Sequence, residues 1–398
     1  MRISLLQRRE DFEGVFAASL SAFLARYVNW RGAVKPPTAK GLVFRQNAWL
    51  NVVYPAGLGH RHIVPLTREF GYAGSPLRRW LQAAYVALAT RAPFERLFSP
   101  AVFTLTNAPE ALSCWVFMPG NHTIRAIDTA NNISIVFPKK GFDPQFFVQD
   151  AKMRQQFGFL PAPKVLEVQE GWFEEERVIG LPLNRLPDAL PRASALAVAI
   201  SALTQLRAAT AQEVDLHAWA TELDQQISTL VAKTGDGLAA ETSRAIAAVQ
   251  TGVQPILGRA EAQNISICQS HGDFQPANIL VAPQQVYLID WEYSAPRMAH
   301  YDYLVHITQS RFASGLGARL HTELAHRMPE NGLNGWGAAQ PGYVPVLFAL
   351  FILEDLLLKL AENAASAILA KGLFLDPWLE EVAPFVKTLA SFAGQAAA

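Results

Sequence analysis

The 398-residue chain is poor in cysteine and in charged residues, and it has no long apolar stretch. Its two cysteines, Cys114 and Cys268, exclude a disulfide framework and a four-cysteine metal site, and they suit a reducing compartment. Charged residues make up 17% of the chain, with 34 basic side chains against 34 acidic ones. This balance excludes a polycation that grips nucleic acid along its whole length, so we expect no nucleic-acid partner.

No stretch of the sequence predicts a membrane span or a secretion signal. The longest unbroken apolar stretch, Val344 to Leu353, is about half as long as a spanning helix needs to be. The first residues, MRISLLQRREDFEG, lack the apolar core of a signal peptide. We therefore expect a soluble, cytoplasmic protein, whereas the oligomeric state is not indicated.

The balanced charge hides a difference between the two ends of the chain. Residues 1–100 hold 14 Lys and Arg against 5 Asp and Glu, a net charge of +9, and the rest hold 20 against 29, a net charge of −9. A basic segment of this kind suits a membrane surface or another anionic partner. Compositional drift between two parts of a protein is the alternative.

Within residues 1–100, residues 42–54 predict a strand, and two stretches carry apolar residues at helical spacing. The three tryptophans of this region, Trp30, Trp49 and Trp80, are expected to fill a core. The faces expected to point inward are Phe12, Val15, Phe16, Leu20, Phe23 and Leu24 in one helix, and Leu77, Trp80, Leu81, Ala84, Tyr85 and Leu88 in the other.

The rest of the chain divides into a strand-rich part and a helical part. Residues 101–140 alternate short β-branched and aromatic runs with turns, which predicts an antiparallel sheet. A helix is expected near residues 143–157, followed by two more strands. From residue 187 the pattern is helical, apart from short strands between loops at residues 265–295. This order predicts an α+β fold.

The strands and loops at residues 265–295 hold the densest group of reactive side chains. His271, Asp273 and Asn278 follow the spacing H-x-D-x-x-x-x-N, and Asp290 ends the apolar strand VYLID. Phosphoryl transfer needs a carboxylate that accepts the proton of the attacking hydroxyl, and oxygen ligands that hold Mg²⁺ against the phosphates. The spacing is that of a kinase catalytic loop. A lone H-G-D turn would mean little, but the joint pattern is rare.

The segments HGDFQPANIL, VYLIDWE and HYDYLV resemble the aminoglycoside phosphotransferase and choline kinase superfamily, over roughly residues 115–390. The resemblance implies a bilobal protein-kinase-like fold, with ATP and Mg²⁺ as cofactors. It makes Asp273 the catalytic base and His271 a residue that shapes the loop. It makes Asn278 and Asp290 the Mg²⁺ ligands, while Asp302 braces the loop. A plain helix-start position is the alternative for Asp302.

The same resemblance implies a nucleotide site in the strand-rich part. The turn at Gly120 and Asn121 resembles the short nucleotide-binding turn, in which glycine lets backbone N–H groups approach phosphate. A simple hairpin is the alternative. The segment GWFEEERVIGLPL resembles the hinge, where the backbone from Glu176 to Val178 would bind the purine.

One feature departs from the kinase pattern. Kinases place a lysine on the third strand and pair it with a glutamate on the next helix. Here the strand ISIVFP carries no lysine, and Lys139 and Lys140 follow it. Either lysine would bind phosphate with Asp150 as its anchor, or this contact is missing and the two lysines lie in a solvated turn.

Together these features predict a bilobal α+β protein with an antiparallel N-lobe at 101–186, a mostly helical C-lobe at 187–398 and an extra N-terminal α/β segment at 1–100. The expected function is ATP-dependent phosphorylation of a hydroxyl on a small molecule: a sugar, an amino alcohol, an aminoglycoside-like compound or a glycan. The alternative is a non-catalytic nucleotide-binding pseudokinase or scaffold. A protein kinase is disfavoured because no D-F-G or A-P-E segment follows Asp290.

Overall fold

The chain is described here by a computed structural model with two compact units. The first combines Met1–Leu196 with Ile279–Ile289, and the second combines Ala197–Asn278 with Asp290–Ala398. The predicted α+β class is confirmed, because the first unit is built on a large antiparallel sheet and the second is mostly helical. The residues described are 2–67, 70, 75–91, 93–234, 237–258, 260, 264–325, 343–366 and 372–395.

The sheet of the first unit has nine strands in the order β1-β4-β2-β3-β5-β6-β7-β9-β8. The predicted boundary near residue 100 falls inside this sheet, since β4 pairs with both β1 and β2. The strands are β1 (Val34–Lys35), β2 (Leu42–Asn47), β3 (Val52–Pro55), β4 (Ala101–Leu105), β5 (Trp115–Pro119), β6 (Thr123–Asp128), β7 (Ile133–Pro138), β8 (Val165–Gln169) and β9 (Trp172–Glu176).

The strand predicted over residues 42–54 is a hairpin of β2 and β3. Asn47 ends β2, and its side-chain oxygen accepts the N–H groups of Trp49 and Leu50 at 3.1 and 2.9 Å. Asn51 takes a left-handed conformation with φ 53°. Asparagine tolerates this conformation, and Asn47 caps the turn, which explains why an apolar stretch reverses here.

Helices of the first unit pack against both faces of the sheet, because alternate residues of its strands join the core of α1 and α2 on one face and the core of α3 and α4 on the other. Asp11 caps α2 by accepting the N–H of Gly14 at 3.3 Å. All six residues predicted to face inward in α2 are buried, and Phe23 stacks on Phe137 of β7 with ring centroids 4.2 Å apart. The helices are α1 (Ile3–Arg9), α2 (Phe12–Tyr27), α3 (His60–Thr67), α4 (Pro76–Ala89), α5 (Glu95–Phe98) and α6 (Gln145–Gln156).

The inward face predicted for the second N-terminal helix is wrong. In α4, the side chains of Leu77, Trp80 and Leu81 are 69%, 67% and 52% exposed, and only Val86 and Ala89 are buried. Trp49 is also exposed, whereas Trp30 lies in the core as predicted. Helical spacing determines which residues share a face, but it does not determine what that face contacts.

Three further strands of the first unit form a small sheet in the order β10-β13-β14. These strands are β10 (Leu181–Pro182), β13 (Ile279–Val281) and β14 (Val286–Leu288). The pairing of β13 with β14 confirms the predicted strands ANILV and VYLID. It places Asn278 directly before one strand and Asp290 two residues after the other.

The second unit packs helices around a buried central helix, α12. Because α12 is apolar on nearly all sides, it is buried along most of its length. A sheet of order β11-β12-β15 completes the unit. Its elements are α7 (Ala189–Thr210, which starts in the first unit), β11 (Gln212–Asp215), α8 (Leu216–Thr234), α9 (Ala240–Leu257), β12 (Asn264–Gln269), β15 (Pro296–Met298), α10 (Tyr301–Thr308), α11 (Leu316–Ala325), α12 (Val344–Ala364) and α13 (Leu375–Gln395).

One helix in the described part of the chain, α7, is long and apolar enough to cross a membrane, judged by length and composition alone. The sequence analysis did not find it because serine, threonine and arginine interrupt its apolar runs. Its most apolar stretch is 28% buried. A single helix of this kind is weak evidence, since core helices of soluble proteins meet the same criteria.

Candidate active site

The catalytic loop follows β12 and turns sharply at Gly272. Gly272 has φ +85°, and a Cβ at this position would collide with the carbonyl oxygen of Tyr293. A side chain is therefore excluded by both conformation and space. His271 precedes this turn and Asp273 follows it. Both side chains are buried in the second unit.

Asp302, near the start of α10, braces this loop. Its carboxylate accepts the N–H of His271 at 2.7 Å and the N–H of Gly272 at 2.9 Å. Burial raises the pKa of Asp302, and these two hydrogen bonds act in the opposite direction. The predicted bracing contact is confirmed, and the residue that precedes α10 at its cap position is His300 rather than Asp302.

The carboxylate of Asp273 is held by three side-chain donors. Arg311 donates from Nε to Oδ1 at 2.8 Å, and Oδ2 accepts from Gln275 at 2.8 Å and from Asn278 at 2.7 Å. With both oxygens fixed, the carboxylate has one orientation. This is the arrangement that a group needs in order to accept a proton from a positioned hydroxyl.

The hydrogen bonds of Asn278 determine which end of its amide faces outward. Its Nδ2 donates both to the carbonyl oxygen of Asp273 at 2.9 Å and to the Asp273 carboxylate. The amide oxygen, which is the atom that binds a cation, therefore points away from Asp273. The spacing of five residues produces this geometry because a short 3₁₀ turn, Pro276–Asn278, brings the amide back to the loop.

Asp290 is exposed and adopts a left-handed backbone conformation, with φ 69° and ψ 55°. This conformation is unfavourable for a residue with a Cβ, and it persists only where the surroundings enforce it. Here the next residue, Trp291, is fully buried, and its ring lies 4.4 Å from that of His271. The anchored Trp291 thus fixes Asp290 relative to the catalytic loop.

The donor set fits Mg²⁺. An amide oxygen from Asn278 and a carboxylate from Asp290 are the hard oxygen ligands that this ion prefers. No group of three or more His, Cys, Asp or Glu side chains suited to a metal occurs among the described residues. Mg²⁺ in phosphoryl-transfer sites needs no such group, because waters and substrate phosphates complete its coordination.

Two residues that support the Asp273 carboxylate, Arg311 and Asp355, were not predicted from the sequence. Besides Asp273, Arg311 donates to Asp355 in α12 at 3.1 Å. Asp355 also accepts from the hydroxyl of Tyr301 at 2.8 Å and from the indole of Trp378 at 2.9 Å. The sequence feature that could have indicated them is the acidic pair Glu354-Asp355 inside an apolar helix, because a buried carboxylate needs hydrogen-bond or ion-pair partners.

The turn between β5 and β6, which the sequence predicts to bind nucleotide, is a tight hairpin. The N–H of Gly120 donates to the carbonyl oxygen of Thr123 at 2.8 Å, and its φ is not positive. The hairpin therefore uses the Gly120 N–H internally, and the approach of other backbone N–H groups of this turn to phosphate stays a prediction. Asn121 accepts a hydrogen bond from Arg9 of α1 at 3.2 Å.

Lys139 is paired, but not with the predicted partner. Its ammonium lies 2.6 Å from the carboxylate of Glu10, and both side chains are almost fully buried. Asp150, the predicted anchor, pairs with Arg154 instead, at 3.0 Å. The physical reason is the position of α1 and α2, which cover the start of this loop. Lys140 is exposed, and its backbone N–H donates to Ser19 of α2 at 2.8 Å.

A second ion network lies between α6 and the sheet. Glu175 of β9 accepts from Arg125 of β6 and from Arg154 of α6, each at 2.7 Å. Burial alone would raise the pKa of Glu175, but the two guanidinium groups lower it to about 2. Arg125 is the more exposed of the two arginines, at 33% of its side chain.

The predicted hinge begins at the end of β9. The N–H of Glu176 donates to the carbonyl oxygen of Lys164 at 2.8 Å, so this group is used inside the protein. The Glu176 carboxylate accepts from the hydroxyl of Tyr287 at 3.4 Å. Val178 is half-buried. Purine binding by the backbone near Val178 stays a prediction.

The structure thus brings the predicted residues together in two groups. The second unit holds His271, Asp273, Asn278 and Asp290 around one loop. The first unit holds the turn and the two lysines, which contact Arg9 of α1, Glu10 directly after it and Ser19 of α2.

One protein-family model matches the part of the chain that contains the first of these groups. Residues 152–341 match the model of the phosphotransferase enzyme family. This match confirms the predicted resemblance to the aminoglycoside phosphotransferase and choline kinase superfamily over these residues. No curated protein matches the chain.

Three solved structures are similar to the chain at low identity. A choline/ethanolamine kinase family protein from Mesorhizobium loti is 16% identical, with a TM-score of 0.42 and coverage of 79% of this chain and 99% of that one. An ethanolamine kinase from Plasmodium vivax is 11% identical, with a TM-score of 0.43 and coverage of 85% and 95%. A mutant aminoglycoside phosphotransferase, in a complex with ADP and hygromycin B, is 14% identical, with a TM-score of 0.41 and coverage of 71% and 94%.

Proposed function

We propose that the protein transfers the γ-phosphoryl group of ATP, with Mg²⁺, to a hydroxyl group of a small molecule. The observation that carries this proposal is the shared geometry of Asp273 and Asn278. One carboxylate oxygen of Asp273 fixes the amide of Asn278, so that a proton acceptor and a cation ligand stand side by side on one rigid loop.

In this reaction Asp273 orients the acceptor hydroxyl and takes its proton. The acceptor oxygen forms a bond to the γ-phosphorus, the bond from that phosphorus to the β–γ bridging oxygen breaks, and ADP leaves. Asn278 and Asp290 would hold Mg²⁺, which neutralises charge on the phosphate oxygens. Arg311 and Asp302 are positioning residues, since they contact the carboxylate and the loop backbone.

The nucleotide-contacting residues belong to the same proposal. Lys140 is exposed, so its ammonium is the lysine group of this turn that can reach phosphate without breaking an internal ion pair. Lys139 would first have to leave Glu10. Two free thiols, Cys114 and Cys268, fit the cytoplasm as the compartment.

The first experiment measures ATP binding by thermal shift, with and without Mg²⁺, on the wild type, on Asp290→Ala and on the control Asp188→Ala. Asp188 is also an exposed aspartate, but it lies outside the candidate site. We expect a Mg²⁺-dependent stabilisation in the wild type and in Asp188→Ala, and its loss in Asp290→Ala. Equal shifts in all three proteins would contradict the metal assignment.

The acceptor is then identified by ADP release with a panel of hydroxyl compounds. The panel contains choline, ethanolamine, hygromycin B and other aminoglycosides, and simple sugars, because the similar structures are named for several of these. A compound that raises the rate of ADP release above the rate with ATP alone would identify the acceptor class, provided that Asp273→Ala abolishes the increase.

The second function to test is a nucleotide-binding pseudokinase. It is favoured by the burial of Lys139 against Glu10 and by the use of the Gly120 N–H within the hairpin. A protein of this kind would show no ADP release with any acceptor, even where ATP binds.

A further inference from the structure

An apolar surface lies on the outer side of α4 and α5 in the first unit. Its side chains are between 39% and 78% exposed, which is unusual for so many large apolar residues in one short segment. The surface, which we call the α4–α5 patch, consists of Leu77, Trp80, Leu81, Leu88, Phe94, Leu97 and Phe98.

Aromatic contacts extend the patch to the β2–β3 turn. Phe98 lies edge-on to Tyr85 with centroids 5.3 Å apart, and Tyr85 lies 6.2 Å from Trp49. Trp49 is itself 62% exposed, and the guanidinium of Arg2 lies over its ring at 5.4 Å. Phe98, Tyr85 and Trp49 are therefore neighbours. Helical spacing places the exposed side chains of α4 on one face of that helix.

The charges around this patch have one sign. Four arginines, Arg78, Arg79, Arg91 and Arg96, are exposed between residues 75 and 98. The one acidic residue of that segment, Glu95, is buried and lies 3.7 Å from Arg45. Exposed basic residues thus surround exposed tryptophan, leucine and phenylalanine.

We propose that the α4–α5 patch binds the surface of an anionic lipid bilayer. Apolar and aromatic side chains gain free energy by entering the boundary between headgroups and acyl chains, where tryptophan is enriched. Arginines next to them gain from anionic headgroups. The excess of positive charge in residues 1–100 acts in the same direction. A second copy of the chain is a poorer occupant, because a two-fold contact through this patch would place arginines against arginines.

Sedimentation of the full-length protein with vesicles tests this proposal. We expect binding to vesicles of phosphatidylcholine mixed with phosphatidylserine, weaker binding to phosphatidylcholine alone, and loss of the difference at high salt. The Arg78→Gln/Arg79→Gln variant should bind the mixed vesicles roughly 30-fold less tightly, since each basic residue near the surface contributes about fivefold. Equal binding to both kinds of vesicle would overturn the proposal.

The apolar contribution is tested with Trp80→Ala/Leu97→Ala. Its matched control is Leu166→Ala/Phe312→Ala, which removes two side chains that are 60% and 61% exposed elsewhere in the chain. We expect at least tenfold weaker vesicle binding for the first variant and no change for the control, with unaltered thermal unfolding in both. The proposal is overturned if both variants bind like the wild type. It is also overturned if light scattering shows a dimer that Trp80→Ala/Leu97→Ala dissociates.

Discussion

The catalytic loop of the second unit and the nucleotide turn of the first unit are both held by buried ion pairs and hydrogen bonds, but their partners lie at different distances along the chain. Asp302 and Arg311 hold the catalytic loop from 30 to 39 residues downstream. The turn and Lys139 are held by Arg9 and Glu10, which lie 112 and 129 residues upstream. The catalytic loop is therefore held by residues that follow it closely in the chain. The turn and Lys139 depend on residues far upstream.

The two regions also differ in which groups they leave for a ligand. In the catalytic loop, internal hydrogen bonds engage the nitrogen of Asn278, so that its oxygen faces outward. In the first unit, the N–H of Gly120 in the turn and the ammonium of Lys139 after β7 are both engaged internally. The segment at residues 1–100 is therefore part of the structure of the nucleotide turn, as well as an extension of the sheet.

The largest expected effect is on catalysis. Asp273→Asn should lower kcat by roughly 10²- to 10⁴-fold, because the amide cannot accept the hydroxyl proton. ADP release with the acceptor found in the panel measures this, and Mg²⁺-dependent ATP binding should remain. A variant that keeps wild-type turnover would remove Asp273 from the role of base.

The next effect tests the support of the catalytic loop. Arg311→Ala leaves the buried carboxylates of Asp273 and Asp355 without their shared cation, so we expect a loss of about 3–5 kcal/mol in the free energy of unfolding. Urea denaturation measures it. Arg319→Ala serves as the control, since the guanidinium of Arg319 bonds to backbone carbonyl groups. Equal losses in both variants would show that Asp355 and Asp273 do not depend on Arg311.

The corresponding test in the first unit is Lys139→Met. Glu10 then keeps a buried carboxylate without its ion-pair partner, and we expect a loss of about 3–5 kcal/mol in the free energy of unfolding. Glu10→Leu/Lys139→Met should recover most of it, because no charge remains buried. Lys140→Met, at the exposed neighbour, should change stability little. If Lys139→Met is as stable as the wild type but binds ATP weakly, Lys139 is a phosphate ligand.

The next prediction concerns the pH dependence of stability that arises from Glu354, which is buried in the second unit. Burial raises the pKa of Glu354 to about 7, although the N–H of Met298 and the indole of Trp219 both donate to it. Above its ordinary pKa the unfolded chain loses this proton while the folded chain keeps it. Stability therefore falls as the pH rises through 7.

The raised pKa of Glu354 corresponds to a loss of about 3 kcal/mol in the free energy of unfolding between acid and mildly alkaline pH. Glu354→Gln should remove this pH dependence. Glu241→Gln, at an exposed glutamate on α9, should leave it unchanged. Urea denaturation at a series of pH values measures both, and identical pH profiles for the wild type and Glu354→Gln would contradict the assignment.

The smallest effect concerns the turn itself. Arg9→Ala removes the 3.2 Å hydrogen bond to Asn121, and we expect a loss of about 0.5–1.5 kcal/mol in the free energy of unfolding. Because the same contact positions the turn, ATP affinity should change with it. If ATP affinity stays at the wild-type value, the nucleotide does not depend on this turn.

The catalytic loop, the strands beside it and the buried face of α2 were predictable from the amino-acid sequence. These features depend on residues close together in the chain, where spacing fixes geometry: Asn278 returns to Asp273 through one short turn. In contrast, the pairing of Glu10 with Lys139, the support of Asp273 by Arg311 and Asp355, and the exposure of Trp80 became visible only in the folded chain. Such contacts join residues far apart in the chain, and local periodicity carries no information about which distant group, or which solvent, a side chain will meet.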